Sequence, residues 1–182
     1  MHSDNDIRIR RAQPGDDRLL AAMGRQTFRD SYAADNRPED VAAYLAEAFT
    51  PRRQARELAE AGSVFLIAEI AAQAAGYARL LDAPAPGFIR ARHPLKLERI
   101  YVHSAWIGQG VGPALMVACV AEARQRVADG IWLGVWEHNP RALRFYRKWG
   151  FTQTGTQPFR LGSERQRDLV LWRPLETAGT NY

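Results

Sequence analysis

Between Leu97 and Phe151 the chain reads LERIYVHSAWIGQGVGPALMVACVAEARQRVADGIWLGVWEHNPRALRFYRKWGF. The spacing of apolar residues in this region predicts a strand, a loop, a helix, a second strand and a second helix. The strands are predicted over Leu95 to Val102 and Ile131 to Trp136. The helices are predicted over Val111 to Asp129 and Pro140 to Trp149. This alternation indicates an α/β or α+β fold, in which helices cover a sheet.

The loop between the first strand and the first helix is rich in glycine. Gly108, Gly110 and Gly112 let the backbone turn tightly and leave its amides unobstructed. Pro113 is suited to the first helical position, because proline gives up no hydrogen bond there. Loop amides together with the unpaired donors of a helix's first turn can bind phosphate. The loop therefore predicts an anion site, although a plain turn would have the same composition. No Gly-Lys-Ser/Thr follows, and the spacing is not that of a dinucleotide fold.

The second helix has clear signals at both of its ends. Asn139 is placed to cap it, Pro140 to begin it, and Gly150 to end it in a left-handed conformation. The helix is predicted to be amphipathic: its apolar face carries Ala142, Phe145, Tyr146 and Trp149, and its basic face carries Arg141, Arg144, Arg147 and Lys148.

The same periodicities extend the prediction in both directions from this region. Further strands are expected over Asp6 to Arg11, Ser63 to Ile70, Ala75 to Leu81, Phe151 to Gly155 and Arg167 to Arg173. Further helices are expected over Asp17 to Tyr32, Pro38 to Phe49 and Pro51 to Gly62, the last capped by Thr50.

Composition narrows the class of protein. The chain has 182 residues, of which 46% are hydrophobic and 25% charged, as expected of a globular protein. We expect one domain over residues 1–175 and a flexible tail over residues 176–182. No apolar run is long enough to span a membrane, and the polar N-terminus is not a secretory signal, so a cytoplasmic location is expected. Cys119 is the only cysteine, and no zinc-binding spacing occurs, so no metal is expected.

The net charge of +5 indicates an anionic partner. All but two of the 25 basic residues are arginines, the exceptions being Lys96 and Lys148. Because the basic residues are spread along the chain, a phosphorylated cofactor accounts for the charge better than nucleic acid does. The sequence leaves open whether the chain forms a homodimer.

The glycine loop and the helix pattern N-x-x-A-x-x-F-Y-x-x-x-G-F, at this spacing, closely resemble the two cofactor-binding motifs of the GNAT (Gcn5-related N-acetyltransferase) superfamily. The resemblance covers about Leu95 to Thr156. Within the superfamily, the sequences LERIYV and LGVWEHN are similar to those of the PaiA-like spermidine/spermine acetyltransferases. The resemblance implies a mixed, splayed sheet of about seven strands flanked by four or five helices, with acetyl-CoA as cosubstrate.

The resemblance also implies which residues bind the cofactor. Ile100, Tyr101 and Val102 of the strand would lie along the pantetheine arm. The loop from Ile107 to Pro113 would hold the pyrophosphate; it comprises Ile107, Gly108, Gln109, Gly110, Val111, Gly112 and Pro113. Asn139 would contact the arm as well as cap its helix. The usual first position of the loop motif is arginine or glutamine, and Ile107 departs from it, which predicts weaker cofactor binding.

Two residues are predicted to act in catalysis. Tyr146 resembles the family's general acid, which protonates the departing thiolate; from its helical position alone it would be a core aromatic residue. Glu98 is the first candidate for the base that deprotonates the amine, because an amine of pKa near 10 is protonated at neutral pH. An ion pair with a neighbouring arginine is the alternative role for Glu98. The other candidate bases are His103, Glu137 and His138. Cys119 is expected to serve packing.

Three functions fit these residues. The first is acetylation of a small-molecule primary amine, with a polyamine favoured; the second is acetylation of a protein N-terminus or lysine; the third is non-catalytic acyl-CoA binding. A polycation would need carboxylates, and the candidates are Asp35, Glu39, Asp40 and Glu47. Each of these could equally be a solvated surface charge.

Overall fold

The computed structural model describes residues 6–176. Within that range seven strands form one sheet, accompanied by five α-helices, which confirms the predicted fold class. The expected tail beyond Glu176 lies outside the described residues. The elements are β1 (Arg8–Arg11), α1 (Asp17–Tyr32), α2 (Pro38–Ala48), α3 (Pro51–Ala59), β2 (Ser63–Ile70), β3 (Gln73–Asp82), β4 (Pro94–Val102), α4 (Val111–Gln125), β5 (Gly130–Trp136), α5 (Pro140–Lys148), β6 (Thr152–Leu161) and β7 (Glu164–Pro174). In residues 6–176 no helix is both long and apolar enough to cross a membrane.

The sheet has the order β1-β2-β3-β4-β5-β7-β6. All neighbouring strands are antiparallel except β4 and β5, which are parallel. Among the described residues, the pairing of β4 with β5 ends at Lys96 and Trp132. Beyond that point the two strands separate, so one backbone edge of β4 is left without a partner strand. The splayed sheet that the resemblance implied is therefore present.

A β-bulge interrupts β4 at Glu98. Leu97 pairs with Leu80 and Arg99 pairs with Arg79, which leaves Glu98 as the extra residue. The extra residue reverses the alternation of side chains between the two faces of the sheet. Leu97 packs in the core beneath α4, whereas Arg99 contacts α3 on the opposite face. The bulge thus brings Glu98 and Arg99, two successive polar residues, to the α1–α3 side.

The two faces of the sheet are covered differently. α4 packs on one face through Val111, Leu115, Met116 and Cys119, all fully buried. α1, α2 and α3 cover the other face, where aromatic residues dominate. Phe28 is central to this cluster, with ring centroids 4.5 Å from Tyr32 and 4.6 Å from Tyr44. Apolar burial on both sides holds β4 in position between the two layers.

The predicted helix caps are confirmed. The side chain of Thr50 accepts a hydrogen bond from the amide of Arg53, and that of Asn139 accepts one from the amide of Ala142. At the end of α5, Gly150 has φ +79°, and its amide donates to the carbonyl of Arg147. The amide of Phe151 donates to the carbonyl of Tyr146, which completes a Schellman motif.

Several predicted boundaries were wrong. α4 begins at Val111 as predicted, which makes Pro113 its third residue and not its first, but it ends at Gln125 instead of Asp129, because Val127 adopts a positive φ of 55°. β3 begins at Gln73, two residues before the predicted start, because Ala71 and Ala72 form the turn with positive φ. Alanine gives no sequence signal for such a turn.

The largest error concerns the C-terminal hairpin. β6 extends to Leu161, well beyond the predicted end at Gly155, and β7 begins at Glu164 instead of Arg167. β6 is an edge strand with mostly exposed side chains, so it lacks the apolar run on which the prediction relied. The turn is made at Gly162, with φ +57°.

Candidate active site

A cavity of about 570 Å³ opens where β4 and β5 separate. One part lies beside the glycine loop and the N-terminal end of α4. The other part lies on the α1–α2 side of the sheet and reaches the β6–β7 hairpin. The cavity therefore joins an anion-binding element to an aromatic chamber, with the unpaired edge of β4 between them.

The glycine loop has the geometry expected of an anion site. Gly108 and Gly110 have φ +84° and +89°, values that favour glycine, and Gly110 is the N-cap of α4. The first-turn amides of α4 have no acceptor inside the helix and carry its positive dipole end. A Cβ atom placed on Gly108 would meet no atom of the described residues within 4 Å, apart from those of its chain neighbours. This open approach suits a phosphate group.

Most residues predicted to bind the cofactor line this one cavity. These are Ile100, Tyr101, Val102, Ile107, Gly108, Gly110, Gly112, Pro113, Asn139 and Tyr146. Two of the predicted residues do not line it. Val111 is buried in the core beneath the helix, and the side chain of Gln109 donates to the carbonyl of Ala105, 2.8 Å away. Any contact of these two with a ligand would be through their backbone.

Tyr146 lies at the inner end of the cavity, on the buried face of α5. Its ring packs against Phe145 and Phe151, with centroids 5.4 Å and 5.6 Å away. Burial raises the pKa of its hydroxyl well above the usual value, so the phenol stays protonated over the neutral range. Tyr146 is thus both a core residue and a wall of the cavity.

Glu98 lines the cavity, but its carboxylate is paired. Oε2 lies 2.6 Å from the ammonium of Lys96, which also sits 5.0 Å from the centre of the Trp132 ring. The predicted ion pair therefore exists, with a lysine instead of an arginine. Arg99, the neighbouring arginine, binds Glu57 of α3.

The other candidate bases lie outside the main cavity. The ring of His103 accepts a hydrogen bond from the amide of Ala105. Glu137 accepts one from Arg167 at 2.9 Å, and this partner lowers the pKa of its carboxyl. His138 is largely exposed and lines a smaller neighbouring pocket of about 220 Å³.

The carboxylates considered for a polycation do not line the main cavity either. Glu39 is exposed and paired with Arg37, and Glu47 is exposed. Asp35 borders the smaller pocket. Asp40 is buried and accepts hydrogen bonds from the amide and hydroxyl of Ser163, at 2.7 Å and 2.8 Å. Asp40 therefore fixes α2 to the β6–β7 turn.

The chamber contains residues that the sequence analysis did not select. They come from α1, β4, β5 and the hairpin: Tyr32, Lys96, Gly134, Gln157, Phe159, Gln166 and Asp168. Asp168 is in phase with Val170 and Trp172 along β7, and Val170 is buried. An acidic residue in phase with apolar neighbours is the one sequence signal that could have identified it.

The electrostatics of the chamber centre on Asp168. Burial raises the pKa of this carboxyl to about 6, while a hydrogen bond with Gln157 and the charge of Lys96 oppose the shift. Cys119 lies outside the chamber, on the buried face of α4, where burial raises the pKa of its thiol to about 12, in agreement with a packing role. Among residues 6–176, no three acidic, histidine or cysteine side chains are grouped to hold a metal ion.

Comparisons with known proteins agree with this geometry. The sequence pattern of the acetyltransferase (GNAT) family matches residues 25–151. An uncharacterized N-acetyltransferase of Lactobacillus delbrueckii subsp. lactis is 34% identical over 154 residues, which is 85% of this chain and 89% of the relative.

Solved structures share the fold. The PaiA N-acetyltransferase of Thermoplasma acidophilum, crystallised with coenzyme A, superposes with a TM-score of 0.75 at 17% identity, over 93% of this chain and 99% of that one. The ribosomal-protein-alanine N-acetyltransferase of Brucella melitensis superposes with a TM-score of 0.65 at 26% identity, over 92% and 99%.

Proposed function

The chain belongs to the GNAT family of acetyltransferases, and on that premise we propose that it acetylates the primary amine of a small molecule. It is an N-acetyltransferase that uses acetyl-CoA as cosubstrate. The proposal concerns the acceptor. Cys119 is buried within α4 and lies outside the cavity, so no covalent acetyl-enzyme is expected. Direct transfer of the acetyl group from acetyl-CoA to the amine is therefore favoured.

The proposed place of acetyl-CoA follows from the two parts of the cavity. The unpaired edge of β4 beside Ile100 and Val102 offers backbone donors and acceptors to the amides of a pantetheine arm. The glycine loop at the start of α4 offers amides to its pyrophosphate. Backbone groups do this work, so the side chain of Ile107 need not prevent binding. Arg141 is the member of the basic face that borders the cavity.

The observation that carries the proposal is that the acceptor chamber is bridged on two sides. Tyr32, at the end of α1, lies beside Asn139, and its ring meets the Trp136 ring at a centroid distance of 5.9 Å. On the other side, Gln166 of β7 donates to Asn36 at 2.5 Å, next to the bond of Asp40 with Ser163. A chamber tied across both sides suits a compact acceptor better than a polypeptide.

The chamber's lining suits a cationic amine. Rings of Phe28, Tyr32, Tyr44, Trp136 and Phe159 surround it, and aromatic faces attract ammonium groups. Its carboxylates are Glu98, already paired with Lys96, and Asp168. A polyamine stays among the candidates, but the nearby lysine favours an acceptor with few positive charges.

A second candidate acceptor is the N-terminal amine of a protein. The likeness to the ribosomal-protein-alanine N-acetyltransferase, at 26% identity over 92% of this chain, favours it. This acceptor would require the Gln166–Asn36 contact to open for the peptide. The non-catalytic alternative is set aside, because the family and the relatives support an enzyme.

We expect coenzyme A release from acetyl-CoA to be fastest with small primary amines. The test measures thiol release with a panel of monoamines, polyamines, amino acids and aminoglycosides, and with peptides bearing a free N-terminus. The small-molecule proposal is abandoned if peptides give at least tenfold higher kcat/KM than every small amine. If the protein binds coenzyme A but no acceptor of the panel gives thiol release, both candidate functions are overturned.

Replacing Gly110 by alanine is expected to raise the Kd for coenzyme A about tenfold. A non-glycine residue with positive φ costs about 1–2 kcal/mol, and relaxation of that strain would misalign the loop amides. Isothermal titration calorimetry measures the change. Gly87→Ala is the matched control, because Gly87 has open space around it and no positive φ. Equal affinity of both variants would show that the loop does not hold the phosphates.

A further inference from the structure

Asp168 occupies a place in the chamber that neither the family motifs nor the sequence analysis assigned. It lies in the middle of β7, opposite Trp136 of β5 and Gln157 of β6. Asp168 is only 9% exposed, yet it borders the cavity. A carboxylate so placed is costly unless a cation or a donor meets it.

The groups that face Asp168 leave it available. Gln157 donates toward the carboxylate of Asp168, and Lys96 of β4 acts on that carboxylate by charge alone. Among the described residues, Asp168 forms no ion pair within 4 Å. Lys96 is held by Glu98 at 2.6 Å. From α1, Tyr32 lies within electrostatic range of Asp168, and Arg141 of α5 acts on Tyr32. Lys96 is thus paired with another carboxylate, and Arg141 is not within 4 Å of Asp168.

A glycine, Gly134 of β5, lies diagonally across from Asp168 and next to its carboxylate. A side chain at Gly134 of β5 would begin 3.0 Å from Oδ2 of Asp168 and 2.4 Å from Nε2 of Gln157. Gly134 also borders the cavity and lies past Trp132, where β5 has left β4. The missing side chain therefore keeps a path from the strand gap to the carboxylate.

We propose that the Asp168 carboxylate binds the ammonium group of the acceptor and removes its proton before acetyl transfer. The assignment rests on the proposed small-amine function. It makes Asp168, and not Glu98, the base of the reaction, with Lys96 keeping Glu98 neutralised.

The proposed step balances in protons and electrons. The ammonium gives one proton to the carboxylate. The neutral amine nitrogen uses its freed electron pair to bond to the thioester carbonyl carbon, and the π electrons of the C=O bond move to the oxygen, from which they return as the sulfur leaves. The carbon–sulfur bond then breaks, and the sulfur keeps its electron pair and takes a proton from the Tyr146 hydroxyl. The second nitrogen proton restores that hydroxyl through solvent, and Asp168 later loses its proton to water.

The chamber prepares both partners for this transfer. Burial raises the pKa of the Asp168 carboxyl to about 6, and loss of water around a bound ammonium lowers the pKa of that ammonium. The gap in acidity between donor and acceptor is therefore smaller than in water. Since the ionised carboxylate is required, activity should fall as the pH drops through about 6.

The test compares kcat/KM against pH for the wild type, Asp168→Asn and Glu98→Gln, with the best amine of the panel. Wild type should be at half its maximum near pH 6 and hold a plateau from about pH 7 up to the pKa of the amine, about 10. The Asp168→Asn variant can use only the fraction of the amine that is already neutral in solution. Its kcat/KM should therefore be about 100-fold lower than that of the wild type at pH 7 and should approach the wild-type value as the pH rises. Glu98→Gln should keep the wild-type acid limb. Glu164→Gln, an exposed acid on the same strand, is the matched control and should match the wild type.

Folding is checked apart from activity. Asparagine is isosteric and can still accept from Gln157, so Asp168→Asn should bind coenzyme A with wild-type affinity. Its melting temperature at pH 8 should be no lower, because an ionised carboxylate is unfavourable in this site. If the variant fails to bind coenzyme A, the pH profile of the wild type is the test instead, and a steady rise in its kcat/KM from pH 7 to 9 overturns the proposal.

The outcomes distinguish the role of Asp168 from the proposed function. An active wild type with an unchanged profile in Asp168→Asn overturns the role of Asp168 and leaves the acceptor proposal standing. Loss of the acid limb in Glu98→Gln instead would assign the base to Glu98. A wild type that acetylates no amine overturns the proposed function, and the role of Asp168 with it.

Discussion

Replacing Tyr146 by phenylalanine is expected to lower kcat about 100-fold, with little change in the KM for acetyl-CoA. The hydroxyl borders the cavity, and burial raises its pKa, so it carries a proton over the neutral range. The apolar surroundings that keep the phenol neutral also disfavour a free thiolate, so a proton delivered as the sulfur leaves stabilises the transition state. Steady-state kinetics with the best amine measures the loss.

The fold should survive this change, because the ring packing with Phe145 and Phe151 is retained. Tyr77→Phe is the matched control. Tyr77 is buried outside the cavity, and its hydroxyl has no hydrogen-bond partner within residues 6–176, so removal of that hydroxyl should change neither kcat nor stability appreciably. Turnover within twofold of the wild type in Tyr146→Phe would reduce Tyr146 to a core aromatic residue.

Replacing Glu57 by alanine is expected to destabilise the fold by about 3–5 kcal/mol. Glu57 of α3 is buried and accepts two hydrogen bonds from Arg99, at 2.5 Å and 3.1 Å, and its carboxylate lies 3.4 Å from Arg79. Both arginines are buried as well. The variant would leave these two guanidinium groups without their common anion, directly behind the β4 bulge that carries Glu98. Urea denaturation at pH 7 measures the difference in the free energy of unfolding.

The contribution of Glu57 should also depend on pH. Burial opposes ionisation, but the hydrogen bonds and charge of Arg99 outweigh it and lower the pKa of the carboxyl below 4.5. The unfolded chain therefore binds this proton at a higher pH than the folded chain does. The stabilisation is fully present above about pH 4.5 and is lost as the pH falls through the lower folded pKa.

Glu60→Gln is the control for this second prediction. Glu60 also pairs with Arg79, but its side chain is 49% exposed, so its loss should cost less than about 1 kcal/mol. A cost of that small size for Glu57→Ala as well would mean that water or a rearranged partner satisfies the two arginines.

The half of the site that we propose binds the cofactor could be identified from the sequence because its signals are local. The glycines at 108 and 110 adopt positive φ, Asn139 and Gly150 cap α5, and all of these are properties of neighbours along the chain. The family spacing then linked the glycine loop to α5. Of the eleven residues predicted to bind the cofactor and Tyr146, predicted to protonate its thiolate, ten line one cavity. The proposed contacts themselves await the binding experiment.

The acceptor half was not predictable by the same route. Its walls come from α1, α2 and the β6–β7 hairpin, separated by more than a hundred residues. Asp40 bonds with Ser163, and Gln166 with Asn36. The four acids chosen from the early helices do not line the main cavity, because helix periodicity gives a face and not the distance to a strand that follows much later.

The sequence by itself determined the order of elements, the position of the glycine loop and the family, since each depends on residue type and spacing within a short segment. The tertiary structure alone decided which charges meet. It paired Arg99 of β4 with Glu57 of α3, and it buried Asp168 beside Gly134 where β5 leaves β4. The reason is that burial and charge pairing depend on which strands become neighbours, and register across a sheet is fixed by packing on both of its faces.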